Sequence, residues 1–334
     1  MNGPWLLIAV IILGLAFDFT NGFHDTANLI ATPLATRALS PSGAIMLSCA
    51  LNFAGALSFT GVAQTVGGKI TDPFKLPNGP VIVAAALAAA ITWNLFTWYL
   101  GLPSSSSHAL VGALAGAVLA GPGFGDINYN GFLSVVQGLA LSPVLAFPAG
   151  LLIMALIKVL LGKAPLHPTN RRFRTLQVFS AAAQSFAHGT NDAQKTMGVI
   201  TLALVSGGYL HALLVPFWVK LLAAAGMAAG TGSGGWRIIK TVGTGITRLE
   251  PASGFSADLG SAAVILSATF FRLPVSSTQV ISASILGVGT ARRRSMVRWG
   301  TMVNIAAAWL ATLPAAAFLA EGYYRLLTAP GVIR

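Results

Sequence analysis

Two aspartates inside apolar segments are the residues of this sequence that most directly suggest chemistry. Asp25 lies in the stretch NGFHDTAN and Asp192 in HGTNDAQK, and the two stretches align with each other. A carboxylate at the centre of a bilayer costs about 2.5–3.5 kcal/mol even on the lenient insertion scale, so a function is expected for it. Because the two aspartates occupy equivalent places, we predict that both belong to one buried polar site.

The residues beside these aspartates indicate what such a site could bind. Three residues after each aspartate stand Asn28 and Lys195, and this spacing places them on the same helical face as their aspartate. An Asp/Asn pair offers oxygen ligands to a hard cation, whereas Lys195 would place an ammonium group near a metal ion and disfavour it. His24 precedes Asp25 and can change charge near neutral pH. The residues predicted to handle a coupling ion are Asp25, His24, Asp192 and Asn191.

Two runs of hydroxyl residues form the second part of the predicted site. Each run follows a proline, Pro103 in LPSSSSH and Pro274 in LPVSSTQ. Proline is favoured at a helix start and serine is a good N-cap, so each run is predicted to open a half-helix. The free N–H groups and the positive dipole end of such a helix favour an anion. The predicted substrate-binding residues are Asp25, Asn28, Ser104, Ser105, Ser106, Ser107, Asp192, Lys195, Ser276, Ser277 and Thr278.

The composition places this site in a membrane protein. Only 28 of the 334 residues are charged, 20 basic and 8 acidic, and 55% are hydrophobic. A soluble chain carries about a quarter charged residues, so an ordinary soluble enzyme and a disordered protein are excluded. The net charge of +12 does not indicate nucleic-acid binding, because the basic residues lie between apolar runs. The single cysteine, Cys49, excludes a disulfide framework.

Apolar stretches long enough to cross a bilayer are the elements that must position the site. They cover residues 4–21, 43–66, 79–100, 131–157, 209–229 and 299–320. Residues 18–36 and 175–206 are apolar but interrupted by polar residues, and 101–120 and 258–290 contain the hydroxyl runs. Interrupted segments of this kind mark binding sites in many transporters. The distribution of lysine and arginine over the loops predicts that both termini lie outside the cell.

The chain contains its own pattern twice, which predicts two structural repeats. The aspartate motifs, the segments QTVGGKIT (64–71) and KTVGTGIT (240–247), and the hydroxyl runs recur in the same order. Loop 121–130 has an aspartate and no basic residue, whereas its counterpart 291–298 carries four arginines. The positive-inside rule therefore places the two loops on opposite sides of the membrane, which predicts that the copies are inverted.

The predicted fold class is an all-α polytopic membrane protein made of two inverted repeats. Each repeat is expected to cross the membrane about five times and to contain broken or re-entrant helices, about 10–12 membrane segments in all. Repeat one covers residues 1–157, a cytoplasmic linker covers 158–174 and repeat two covers 175–334. Gly22 and Gly189 are predicted to break the helix beside each aspartate.

These motifs resemble those of the PiT family of inorganic phosphate transporters. The matching stretches are NGFHDTAN (21–28), WNLFTWYLGLPSSSSH (93–108), FAHGTNDAQK (186–195) and LPVSSTQ (273–279). The resemblance runs in order from the first helix to about Leu319. It implies two inverted repeats, with phosphate held at the midplane between the aspartate motifs and the hydroxyl half-helices.

The same resemblance bears on the coupling ion. Sodium-coupled members carry an Asn-Asp-x-x-Asn pattern in both halves, whereas this chain has His24 before Asp25, and Lys195 in place of the second asparagine. That pattern resembles the bacterial proton-coupled branch, whose members take up phosphate with a divalent metal as a neutral complex. The chain departs from this branch at Gln279, where a histidine is usual, and in its short central linker. Some family members move sulfate.

Taken with this resemblance, the sequence predicts a secondary active transporter, not an enzyme, that imports inorganic phosphate across the inner membrane by proton symport. Phosphate is expected to travel alone or with Mg²⁺ or another divalent metal, and Asp25 is expected to accept the proton with His24 as modulator. Sodium coupling, sulfate as the substrate, an anion channel and a protease built on Asp126 are the alternatives. No cofactor and no nucleic-acid partner are expected; the lipid bilayer is the expected environment, and a homodimer is compatible with the sequence.

Overall fold

The computed structural model describes residues 4–234 and 236–330, and apart from one isolated β-bridge their regular structure is helical. The helices of the first half are α1 Pro4–Ala35, α2 Pro41–Ser58, α3 Gly61–Lys69, α4 Gly79–Tyr99, α5 Ser106–Ala120 and α6 Tyr129–Leu161. Those of the second half are α7 Leu166–Ser206, α8 Phe217–Ser233, α9 Trp236–Gly245, α10 Pro251–Phe270, α11 Ser277–Arg292 and α12 Trp299–Leu327. The two halves follow the same order, with a short third helix and a shortened fifth helix in each.

Polar and apolar side chains are distributed as a lipid surrounding requires. Helices α1, α2, α4, α6 and α12 are long and apolar enough to cross a membrane. Val159 of α6 and Leu310 of α12 are each 81% exposed, whereas the charged pair Asp192 and Lys195 is buried. Large apolar side chains of the membrane-length helices therefore face outwards while this charged pair lies inside, the reverse of the pattern in a soluble protein. The predicted all-α membrane class is confirmed.

The prediction that Gly22 and Gly189 break their helices is wrong, because α1 and α7 run through both positions without interruption. The two glycines instead allow two helices to cross closely. A Cβ atom on Gly22 would lie 2.4 Å from the carbonyl oxygen of Met227 in α8, and one on Gly189 would lie 2.2 Å from that of Asn52 in α2. Only a residue without a side chain fits where backbone meets backbone at this distance.

The breaks between helices occur at other positions in each half. The predicted span 43–66 is divided between α2 and α3 at Phe59 and Thr60, and the predicted span 209–229 becomes helical only at Phe217. Residues 158–174, predicted as a linker, are mostly helical, since α6 continues to Leu161 and α7 begins at Leu166. A second break in each half separates α4 from α5 and α10 from α11, directly before the helix starts that carry the hydroxyl runs.

The halves are intertwined, because helices pack mainly against partners from the other half. Helix α1 packs against α8 and α7 against α2, while α5 packs against α12 and α11 against α6. The long helices α1 and α7 also touch each other. The aspartates that these two helices carry are thereby brought to the same region of the interior.

Candidate functional site

Asp25 lies at the meeting point of the two hydroxyl runs. The hydroxyl of Ser106, from the start of α5, donates to Asp25 Oδ2 at 2.5 Å. The hydroxyl of Thr278, from the start of α11, donates to Asp25 Oδ1 at 2.9 Å. The ring nitrogen Nδ1 of His24 lies 2.8 Å from the same oxygen, Oδ1. One carboxylate thus joins α1, α5 and α11.

Asp192 has the equivalent place in the second half, but its surroundings carry a positive charge. The hydroxyl of Ser277 donates to Asp192 Oδ2 at 2.5 Å, and the ammonium group of Lys195 donates to Oδ1. His188, one helical turn before Asp192, places its Nε2 atom 2.8 Å from Oδ2. All of these side chains are buried.

The ammonium group of Lys195 reaches across to the first half. Besides Asp192 it donates to the hydroxyl of Ser107 at 2.5 Å and to the carbonyl oxygen of Val275 at 2.7 Å. Its three partners are therefore a carboxylate, a hydroxyl and a carbonyl oxygen. These satisfy the three donors of the ammonium, and the carboxylate of Asp192 compensates its positive charge.

Three of the other predicted binding residues, Ser104, Ser105 and Ser276, form hydrogen bonds of a structural kind. Ser105 and Ser276 accept hydrogen bonds from the backbone N–H groups of His108 and Gln279, and so cap α5 and α11. Ser104 is 2.7 Å from the hydroxyl of Thr97. The residues that face the two carboxylates or the lysine are Ser106, Ser107, Ser277 and Thr278.

The two asparagines that the sequence analysis predicts as site residues make different contacts. The amide of Asn28 donates to Thr278 at 3.0 Å, and its buried oxygen has no hydrogen-bond partner among the described residues. Asn191 instead donates to Thr269 and accepts from the backbone N–H of Val275, at 3.0 and 3.1 Å. Asn191 therefore holds the segment before α11, and the coupling-ion role predicted for it finds no support in these contacts.

His188 and Asn52 are functional candidates that are absent from the predicted site residues. The carbonyl oxygen of the Asn52 side chain lies 3.0 Å from His188 Nδ1. Asn52 comes from α2, a helix for which no polar site residue is predicted. His188 could have been found from its spacing, because residues four apart share a helical face and His188 precedes Asp192 by four.

A further buried carboxylate, that of Asp258, lies where α1, α7 and α10 meet. Asp258 Oδ1 accepts a hydrogen bond from Thr32, and Oδ2 is 3.4 Å from the amide nitrogen of Gln177 and 3.5 Å from the hydroxyl of Ser180. Gln177 also accepts from Thr36 at 2.6 Å. This polar cluster connects the interior to the end of α1.

A basic cavity of about 520 Å³ opens at that end of α1. Thr36 lines it together with four arginines from different segments, which are Arg37, Arg174, Arg248 and Arg298. Glu250 also lines the cavity, so four positive charges face one negative charge, and this excess of positive charge attracts anions. Thr36 belongs to both the cavity lining and the Thr36–Gln177–Asp258 cluster, so the cavity borders that cluster.

The arrangement is suited to binding an oxyanion together with a cation that compensates its negative charge. Hydroxyls that now donate to Asp25 and Asp192 can turn and donate to a bound oxyanion, whose several oxygens accept them. Two carboxylates so close together would repel that anion, because a charge in a low-dielectric interior is poorly screened. Lys195 balances one of them. A proton or another cation is needed to balance the other.

Comparison with known proteins places this site in a family context. The profile of the phosphate transporter family matches twice, at residues 21–171 and 163–320. A protein of Bacillus subtilis, named "Probable low-affinity inorganic phosphate transporter", is 51% identical over 96% of this chain and 97% of its own. A protein of Rhizobium meliloti with the same name is 46% identical over 96% of both chains.

A solved structure has the same fold. The structure titled "The sodium-dependent phosphate transporter" superposes with a TM-score of 0.86 at 26% sequence identity, over 97% of this chain and 99% of the other. The similarity includes both halves, so the helices described above are shared along almost the whole length.

Proposed function

This chain belongs to the phosphate transporter family, and we propose that it is a secondary active transporter that imports inorganic phosphate by proton symport. It is a multi-pass membrane protein of a transporter family and not an enzyme. The proposal rests above all on one observation, the convergence of hydroxyls from α5 and α11 on the buried pair Asp25 and Asp192.

Phosphate fits this arrangement because it offers several oxygens to donors from both halves. Ser106, Ser277 and Thr278 would donate hydroxyl hydrogen bonds, and Lys195 would supply the charge-assisted one. The backbone N–H groups at the starts of α5 and α11 add the positive ends of two helix dipoles. Since these donors come from two intertwined halves, movement of one half against the other would open the site and release the ion.

Asp25 is the proposed proton acceptor. Among the described residues it pairs with no lysine or arginine, whereas Asp192 is paired with Lys195. A carboxylate without a lysine or arginine partner repels an incoming anion more than a paired one does, so neutralising it by a proton favours anion binding most. Protonating Asp25 would remove its repulsion of phosphate and lower the cost of moving the loaded site, with His24 at 2.8 Å modulating the exchange.

The two matches of the family profile support two repeats, which we propose to be inverted within the inner membrane, 1–157 and 175–334. The four arginines of the basic cavity favour the cytoplasmic side for the end of α1, by the positive-inside rule. Both termini would then lie outside. The cavity would form the inner opening of the transport route, reached through Thr36 and Asp258.

Uptake of radiolabelled phosphate into proteoliposomes tests this function, with proton and sodium gradients applied separately. We expect uptake under the proton gradient alone, and its loss in Asp25→Asn. Asp72→Asn is the matched control, since Asp72 is an exposed loop aspartate. Uptake at the wild-type rate in Asp25→Asn would contradict the proposal.

Sodium coupling is the second candidate, because the structural relative is named a sodium-dependent transporter. It would use Asp25 and the unpartnered oxygen of Asn28 as ligands. Uptake under a sodium gradient alone would favour it. Sulfate as the substrate is tested in the same vesicles by competition, and we expect that excess sulfate leaves phosphate uptake unchanged.

A further inference from the structure

The four arginines that line the basic cavity at the end of α1 have no acidic partner among the described residues. They are Arg37, Arg174, Arg248 and Arg298, and all four are exposed. The ion pairs of the described residues involve other basic side chains. Glu250, the acidic residue of the lining, is itself paired with Arg292 at 2.5 Å. The positive charge of the cavity is therefore available to an anion from outside the protein.

Arg37 occupies its place in this cavity against its own backbone preference. Its φ angle is +57°, in the left-handed region, and the N–H of Ala38 donates to the carbonyl oxygen of Pro33 at 2.9 Å, a pattern that ends helices. Glycine is the usual residue at such a position, because it adopts the left-handed conformation without steric cost. Strained residues are concentrated at functional positions, and the function indicated here is to bring a guanidinium group to the cavity.

An apolar groove of about 650 Å³ adjoins the basic cavity, and the two share Ala35, Arg37 and Gly243 in their linings. The remaining wall of the groove is mainly apolar and includes the half-buried side chains of Leu34, Ala38, Leu39 and Ile239. A free anion gains nothing from such a wall, whereas an acyl chain buries apolar surface against it.

A second groove, of about 200 Å³, meets the cavity at Asn170 and Glu250 and shares no residue with the first groove. Its lining includes Leu161 of α6 and Leu166 of α7, and Leu166 is 76% exposed. Exposed apolar surface beside a polar rim is typical of a contact with a membrane. Basic cavity and apolar grooves therefore together match a molecule with an anionic head and apolar chains.

We propose that the basic cavity binds the headgroup of an anionic phospholipid, whose acyl chains lie in the adjoining grooves. Arginine binds phosphate oxygens through two parallel hydrogen bonds, and basic pockets between membrane helices suit such headgroups. The inference adds a lipid partner and does not depend on the substrate or on the coupling ion. Because the cavity is also the proposed inner opening, the headgroup would move aside when phosphate passes.

The experiment is native mass spectrometry of the purified full-length protein, titrated with phosphatidylglycerol or with phosphatidylcholine of the same acyl chains. We expect phosphatidylglycerol to bind the wild-type protein more tightly, because the arginines repel the ammonium group of choline. This comparison needs no substitution, so it does not depend on the folding of a variant. Equal binding of the two lipids would overturn the proposal.

Two double variants locate the binding. Arg37→Gln/Arg298→Gln should weaken phosphatidylglycerol binding roughly 30-fold, since each basic residue beside an anionic lipid contributes about fivefold. Arg171→Gln/Arg293→Gln is the matched control, because it removes the same charge from exposed arginines that are absent from the cavity lining. The control should bind nearly as the wild type does. Equal losses in the two variants would mean that surface charge alone attracts the lipid, and would overturn the site.

Arg37→Gly separates binding from folding, because glycine accepts the left-handed backbone at this position. We expect this variant to unfold at a temperature no lower than that of the wild type and yet to bind phosphatidylglycerol about fivefold more weakly. Wild-type affinity in Arg37→Gly would contradict the role given to the guanidinium group.

Two further measurements distinguish a lipid from a free anion. Ala38→Trp fills part of the first groove without changing the charge, so it should weaken phosphatidylglycerol binding. Inorganic phosphate should not displace the bound lipid, because it has no chains to place in the grooves. Unchanged binding in Ala38→Trp, or displacement of the lipid by inorganic phosphate, would assign the arginines to a free anion and reject the lipid.

Discussion

Asp25 and Thr278 are 253 residues apart in the chain and are joined by a hydrogen bond of 2.9 Å in the buried interior. Each half of the protein thus supplies part of the other half's site. The same exchange occurs at Lys195, which donates to Ser107 of the first half. A site built across two halves can be assembled or opened by their relative movement, as alternating access requires.

Removing the hydroxyl of Thr278 should weaken phosphate transport. We expect Thr278→Val to raise the KM for phosphate by roughly tenfold or more, since a hydrogen bond to a charged group contributes about 1.5–3 kcal/mol. Initial uptake rates over a range of phosphate concentrations measure this. Thr290→Val is the control on the same helix, because among the described residues the Thr290 hydroxyl donates to the backbone carbonyl of Leu286 and to no group of the site. Equal KM values for the two variants would argue against the assignment.

The charge pair in the second half should be sensitive to loss of one partner. Asp192→Asn leaves the Lys195 ammonium buried and uncompensated, which costs about 3–5 kcal/mol. We expect a clear fall in the thermal unfolding temperature of the purified protein. The double variant Asp192→Asn/Lys195→Met should recover much of this loss, and a double variant as unstable as the single one would contradict the pairing.

Asp258 should behave differently from Asp192, although both are fully buried. Its partners Thr32, Gln177 and Ser180 are all neutral, so Asp258→Asn leaves no opposite charge unpaired. We expect its unfolding temperature to stay close to that of the wild type. A fall as large as that of Asp192→Asn would indicate a positive ion at this cluster, and unfolding measured with and without sodium would identify it.

Lys195 should exclude sodium from the second half of the site. Its ammonium contacts a carboxylate, a hydroxyl and a carbonyl oxygen, and such oxygens also bind alkali cations. Lys195→Asn should therefore give phosphate uptake that sodium stimulates, compared with equal potassium. Uptake by Lys195→Asn that is indifferent to sodium would separate the lysine from the choice of coupling ion.

The two crossing glycines should tolerate no side chain. We expect Gly22→Ala and Gly189→Ala each to destabilise the protein by about 1–3 kcal/mol, since the added carbon meets rigid backbone. Gly300→Ala is the matched control in helix α12, where nothing lies within 4 Å of the new carbon. That change should be neutral or stabilising. Thermal unfolding of all three variants gives the comparison.

Much of the fold and part of the site follow from the sequence. The apolar spans and scarce charges predict a helical membrane protein, because hydrocarbon demands internal backbone hydrogen bonding and apolar outer surfaces. The repeated aspartates and the proline-hydroxyl runs depend on side-chain type and local spacing, which can be read directly. The starts of α5 and α11 follow the same logic, since Ser105 and Ser276 cap them.

Other features needed the packing of helices from distant parts of the chain. The sequence pattern predicts that Gly22 breaks its helix, but in the structure Gly22 lies where the backbone of α8 approaches α1 closely. Asn191 stands beside Asp192 in the sequence, yet it faces Thr269 and Val275. The ring of His188 contacts the side-chain oxygen of Asn52, which is 136 residues away in the chain.

The sequence by itself determined the helical membrane class, the repeated pattern and the two aspartates, because those depend on composition and on spacing within one helix. Only the tertiary structure decided which groups contact Asp25 and Asp192, and at which glycines two helices cross closely. Such contacts depend on the crossing of helices that lie far apart in the chain. Local patterns carry no information about the distance between two such helices.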